Sequence, residues 1–175
     1  MSTQLFINAH IATGMPGSTA AETAAIQDIL VEDGKFISIA PNLKATLEAQ
    51  GKDMASVEVV DLGGKLVCPP FCDTHLHLDY VFTARKPGAV NESGTLFEGI
   101  QRWSETKADL TVDEIKERAK IGIAKEMRHG VQFIRSHADV TDPNLTSLKA
   151  LLELKEELKD TVTLQIVSFP QEGMY

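Results

Sequence analysis

After residue 65 the chain alternates apolar runs of strand length with longer stretches of helical periodicity, an order that few folds accept. The apolar runs fall at 71–78, 132–140 and 162–169. Between the first two, residues 95–107 carry Leu96, Phe97, Ile100 and Trp103 at helical spacing. Thr111-Val112-Asp113-Glu114 then opens a second helix with a capping box, and Gly130 supplies its stop. Asp142-Pro143 predicts an N-cap and a first-turn proline. That helix should run to about residue 159, with Leu145, Leu148, Leu152 and the stem of Lys155 facing inward. Strand, helix, helix, strand, helix, strand implies βαβ units, a parallel sheet and an α/β fold.

The first part reads differently. Leu5, Ile7, Ala9 and Ile11 alternate with other residues, as in a half-buried strand. Residues 26–31 and 36–39 flank Glu32-Asp33-Gly34-Lys35, and Asp-Gly between two apolar runs is a hairpin signal. Residues 43–50 suit a short helix ended by Gly51, and 57–62 another strand. Residues 1–65 are therefore expected to form a small β-rich, sandwich-like unit, with 66–175 as a second unit beyond the Gly63-Gly64 break. A long, partly polar loop is expected over 84–94.

Charge bears on partners. The net charge is −8, with Lys and Arg mixed among Asp and Glu, which argues against a nucleic-acid backbone as partner. No stretch reaches the roughly 18 apolar residues of a membrane span, so no membrane partner is expected. The N-terminus lacks a basic region followed by an apolar run, and a cytoplasmic location follows by default. Cys68 and Cys72, if on one extended segment, stand about 13 Å apart, too far for a disulfide, and read as free thiols.

Chemistry concentrates in His75-Leu76-His77. On a strand, side chains at i and i+2 leave the same face, with Cα atoms roughly 6.6 Å apart. Two imidazoles so placed can both reach one metal at about 2.1 Å. A chance surface pair is the alternative, but the flanking residues are apolar, and Asp73 and Asp79 are expected on the same face. Polar groups gathered on a buried face need partners. Strand parity sends Cys72 to the opposite face, which argues against a Cys/His site.

The run Pro69-Pro70-Phe71-Cys72-Asp73-Thr74-His75-Leu76-His77-Leu78-Asp79 resembles the P-G/P-F-x-D-x-H-x-H motif of the amidohydrolase superfamily. Three further stretches resemble bacterial cytosine deaminase: Ser93-Gly94-Thr95-Leu96-Phe97-Glu98-Gly99-Ile100, Arg135-Ser136-His137-Ala138-Asp139-Val140 and Phe169-Pro170-Gln171-Glu172-Gly173. The resemblance implies a metal-dependent hydrolase of the (β/α)8 barrel type, of which this chain carries the first three strands. It implies that His75 and His77 bind a divalent metal, iron or zinc. It further implies that Gln171 holds a small nucleobase-like ring and that Leu96 contacts it through its backbone carbonyl; the Leu96 side chain otherwise reads as helix core.

His137 and Asp139 share a strand face with Arg135. They either orient ligands or water behind the metal or form a buried Arg–His–Asp cluster, and the sequence leaves both open. The implied reaction is hydrolytic: a metal lowers the pKa of water, the amine-bearing ring carbon is attacked and ammonia leaves. Further ligands and the proton-moving group are expected downstream of Tyr175, so the 175 residues alone are expected to be inactive and prone to associate through the apolar edge at 162–169. The full-length protein is expected to be a homo-oligomer. Two other readings stand beside deamination of cytosine: an amidohydrolase acting on an aminotriazine or cyclic amide, and a non-catalytic fragment or interaction module.

Overall fold

Asp33 and Gly34 adopt positive φ (48° and 76°), and the chain reverses there between two strands, as the Asp-Gly signal predicts. The computed structural model describes residues 2–11, 19 and 25–173; residues 12–18 and 20–24 of the predicted first unit lie outside them. Contacts divide the chain into two compact units, Met1–Pro69 and Pro70–Tyr175.

The first unit contains β1 (Thr3–Ile11), β2 (Ile26–Glu32), β3 (Lys35–Ala40), α1 (Leu43–Ala49), β4 (Val57–Asp61) and the two-residue β5 (Leu66–Val67). The sheet order is β3-β2-β1-β4, with β5 also paired to β1, which carries this unit past Gly64. Leu5, Leu30, Leu43 and Val57 form its core, so α1 packs on the sheet through Leu43. Among the described residues these strands belong to one sheet, and the layer facing it is a helix.

The second unit contains β6 (Phe71–Leu76), α2 (Leu96–Lys107), α3 (Val112–Arg128), β7 (Val131–Asp139), α4 (Thr146–Glu157) and β8 (Thr163–Phe169). Its sheet has the order β6-β7-β8, with both pairings parallel, as the alternation predicts. The core lies between sheet and helices, where Ile115, Ile123, Leu151 and Leu154 are at most 2% exposed. Full burial of such a side chain is worth about 1.5–3 kcal/mol. Thr111 Oγ1 accepts the Glu114 amide (3.2 Å) at the start of α3, and Gly130 (φ 87°) follows its end. A side chain there would also meet the Phe71 ring at 3.3 Å.

Four expectations are corrected. The first strand ends at Leu76 rather than 78, because the ladder to β7 shifts register between Asp73 and Leu76. The last helix begins at Thr146, not beside Pro143: Asp142 bonds forward to the amides of Asn144 and Thr146 (both 2.9 Å), forming a turn that delays the helix. Its inward face is Ser147, Ala150, Leu151 and Leu154, with the predicted Leu148 partly buried against the core, while Leu145, Leu152 and Lys155 are exposed, because small residues at 147 and 150 let the helix close on the sheet. Leu96 is not helix core; it is 74% exposed, and Trp103 is the residue of α2 that is buried. Among the described residues no helix is long and apolar enough to cross a membrane.

Candidate metal centre

In a parallel sheet of this kind, side chains at the carboxyl ends of the strands meet at one rim. Here β6 delivers His75 and, one residue past its end, His77; β7 delivers His137. The irregular end of β6 has local causes. Asp73 Oδ1 accepts the His75 amide (2.9 Å), and the Leu78 amide donates to Ser136 Oγ on β7 (3.0 Å). These bonds turn the strand while keeping it against its neighbour.

The two Nε2 atoms of His75 and His77 stand 3.2 Å apart. His137 stacks on His75 with ring centroids 4.3 Å apart, and one ring nitrogen of each of the three lies within 4.8 Å of the others. Two imidazole lone pairs at such a distance repel unless a proton or a cation lies between them. Two nitrogens bound at about 2.1 Å to one tetrahedral ion stand about 3.4 Å apart, so the pair fits a cation as well as a shared proton. Burial, and then the nearby His75 and His137, lower the pKa of His77, which favours the neutral form that ligates. His137 Nδ1 is buried without a hydrogen-bond partner among the described residues. Phe169 of β8 meets His77 edge-on at 5.3 Å, and Tyr80 lies 5.0 Å from the same ring.

The cluster opens on a cleft of about 780 Å³ whose lining includes His75, His77, Tyr80, Leu96, Trp103 and Gln171. Both predicted metal ligands and both predicted substrate contacts therefore face one space. His137 and Asp139 are not part of that lining.

The buried Arg135–His137–Asp139 cluster, one of the two arrangements the sequence leaves open, does not form. Arg135 is exposed and donates through Nε to Gln165 Oε1 (2.7 Å). Asp139, 2% exposed, accepts from the Trp103 indole (2.7 Å) and from Lys107 (3.0 Å), and its other oxygen accepts from the Thr141 amide and hydroxyl (2.8 and 2.6 Å). The strand face divides because successive side chains find partners on different neighbours: β8 for Arg135, the β6 histidines for His137 and α2 for Asp139. Asp79 does not join the histidines either. It is fully buried, accepts the Asp139 amide (2.9 Å), and burial pushes its carboxyl up to about 6. Cys68 and Cys72 are free and exposed, as expected.

Two features were missed in the sequence. Glu98 accepts the amides of Glu92 (3.1 Å) and Ser93 (2.6 Å) and the Ser93 hydroxyl, while Asn91 bonds the Gly94 amide (2.9 Å) and the Thr95 carbonyl (2.9 Å). This fastens the turn before Leu96. Thr95-x-x-Glu98 has capping-box spacing and was a readable signal, since Thr95 Oγ1 accepts the Glu98 amide at 3.4 Å. Lys107 offers no such signal, because its partners lie 32, 34 and 65 residues away.

The amidohydrolase family model matches residues 58–174. N-isopropylammelide isopropyl amidohydrolase of Pseudomonas sp. (strain ADP) is 30% identical over 159 residues, covering 89% of this chain and 37% of that protein. Pterin deaminase of Rhizobium rhizogenes is 28% identical over 152 residues, 84% of this chain and 32% of the relative. Among solved structures, 5-methylcytosine deaminase from Klebsiella pneumoniae liganded with 5-fluorocytosine superimposes with a TM-score of 0.78 at 39% identity, over 97% of this chain and 37% of the other. The chain thus spans about a third of the length of the relatives it matches.

Proposed function

The chain belongs to the amidohydrolase family, and on that premise we propose that the whole protein hydrolyses the exocyclic C–N bond of cytosine or a related N-heterocycle, releasing ammonia, with a divalent cation of iron or zinc held at His75 and His77. The observation that carries this reading is the pair of imidazole nitrogens 3.2 Å apart at the wall of a cleft that also holds Gln171 and Leu96. A cation bound there supplies a Lewis acid that makes water nucleophilic near neutral pH.

The chain's own residues then have separate tasks. His75 and His77 offer ring nitrogens as ligands. The stacked His137 ring fixes the plane of His75, and Asp139 anchors the end of the same strand; both act from outside the cleft lining. The Gln171 carboxamide has one acceptor and two donors, which match a ring carbonyl beside a ring nitrogen. Leu96 offers its backbone carbonyl as a further acceptor. Tyr80 and Trp103, with centroids 4.9 Å apart, give the ring an aromatic wall that sheds water.

The test is made on the complete gene product. Metal analysis should find near-stoichiometric iron or zinc, lost in the His75→Ala/His77→Ala variant together with ammonia release from cytosine or 5-methylcytosine. Full metal retention by that variant would sink the assignment. A second reading, hydrolysis of an N-alkylamino or amino triazine, is favoured by the 30% identity to the isopropylammelide enzyme. Substrate profiling separates the two, and a Gln171→Ala variant with unchanged cytosine kinetics counts against the first.

A further inference from the structure

We infer that Lys107 is a positioning residue for the cleft: its ammonium ties the ends of β7 and β8 together and so fixes the turn that presents Gln171. The consequence for substrate rests on the function proposed above, while the consequence for the turn does not.

Lys107 ends α2, and its side chain is only 11% exposed. Its Nζ lies 3.0 Å from Asp139 Oδ2, 2.6 Å from Thr141 Oγ1 and 2.5 Å from Glu172 Oε1. An ammonium has three donors and no acceptor, so each donor finds one oxygen and the group is fully satisfied. Two of those oxygens belong to the end of β7 and one to the turn after β8.

The two sides are not equally secured. Asp139 is anchored independently by the Trp103 indole and by Thr141. Trp103 and Lys107 lie four residues apart on α2 and so share one helix face. The turn after β8 has less. The ladder between the strands closes with the Val140 amide on the Phe169 carbonyl (3.2 Å). Beyond it, Gly173 donates to Pro170 within the turn (3.0 Å). Glu172 is held by Lys107 and, more weakly, by Ser104; these bonds keep its carboxyl below the usual range. Gln171, the neighbour of Glu172, faces the cleft. Without the ammonium, Glu172 and Asp139 would be left as two carboxylates repelling across the gap, and the turn that carries Gln171 would move outward.

Two variants of the complete gene product test this. Lys107→Met keeps the stem and removes the donors. Glu172→Ala removes only the arm to the turn, leaves Lys107 on Asp139 and Thr141, and so should fold even where the first variant does not. In both, hydrogen exchange of the Gly173 amide should quicken roughly ten-fold or more, and KM for the amino-heterocycle should rise by a similar factor while kcat stays within about three-fold. A merely structural role would lower the active fraction, and hence kcat, without moving KM. Exchange at the wild-type rate in Glu172→Ala would overturn the inference, as would a fall in kcat with KM unchanged. A wild-type protein that turns over no amino-heterocycle refutes the proposed function, and the exchange rates then decide by themselves whether Lys107 pins the turn.

Discussion

Lys116 and Lys107 are almost equally shielded, with side chains 12% and 11% exposed, and each bonds more than one oxygen, yet they stand in regions that use charge differently. Lys116 lies on α3 and bridges to Glu153 (2.9 Å) and Glu157, whose side chains are 56% and 42% exposed. Beneath it the helices are already joined by Ile115, Ala119, Leu151 and Leu154, all fully buried. Lys107 stands at the strand ends, where the Asp139 side chain is 3% exposed. There the polar bonds are themselves the packing. The difference lies in the partner: a carboxylate kept in water loses little when its lysine goes, whereas a desolvated one is left unpaired.

The largest expected effect breaks or keeps that comparison directly. In urea unfolding followed by far-ultraviolet circular dichroism, Lys107→Met should cost about 3 kcal/mol, because Asp139 loses its counter-charge in a buried place. Lys116→Met should cost clearly less, and that loss should shrink further in high salt. Equal losses would mean that the exposure of the partner does not decide the outcome. Next in size, Trp103→Phe keeps most of the apolar ring, whose parent residue is 6% exposed, but removes the donor to Asp139. A hydrogen bond to a charged group is worth about 1.5–3 kcal/mol, so this variant should lose about 2 kcal/mol. A loss below about 0.5 kcal/mol would show that Lys107 and Thr141 satisfy Asp139 without the indole.

The same contrast explains what could be read in advance. Elements whose cause is local were legible: the Asp33-Gly34 hairpin and the Thr111 cap each follow from neighbours in sequence, and the alternation of strand and helix implied the parallel sheet. The convergence of His75 and His77 was legible from their i, i+2 spacing, although His77 lies one residue beyond the end of β6. His137 was placed on the right strand, but its stacking on His75 depends on register between strands, which sequence spacing does not encode. Asp142 misled for a different reason: a side chain suited to cap a helix can first close a turn, and here it bonds forward to Thr146. The Lys107 network is wholly long-range and left no pattern at all.

The smallest expected effect sharpens the comparison at a carboxylate held mainly by a hydroxyl and backbone amides. Glu98 holds the turn before Leu96 through the amides of Glu92 and Ser93, and its carboxyl is pulled down to about 2, first by the Ser93 hydroxyl and then by those amides. A carboxylate whose folded pKa is depressed contributes order that is present above its unfolded value and lost as pH falls through the folded one. For Glu98 the window runs from about 4.5 down to about 2. A carboxyl-carbon NMR titration should therefore show Glu98 still ionised at pH 3, when ordinary glutamates are protonated. The backbone shifts of Glu92 and Ser93 should follow the same late transition, with little change in the global unfolding midpoint at neutral pH in Glu98→Gln, because the bonds at stake lie within one local turn. A midpoint near 4.5 would show that the turn is ordered without this carboxylate. The anchoring of Leu96 would then fall to Asn91 and Thr95 alone.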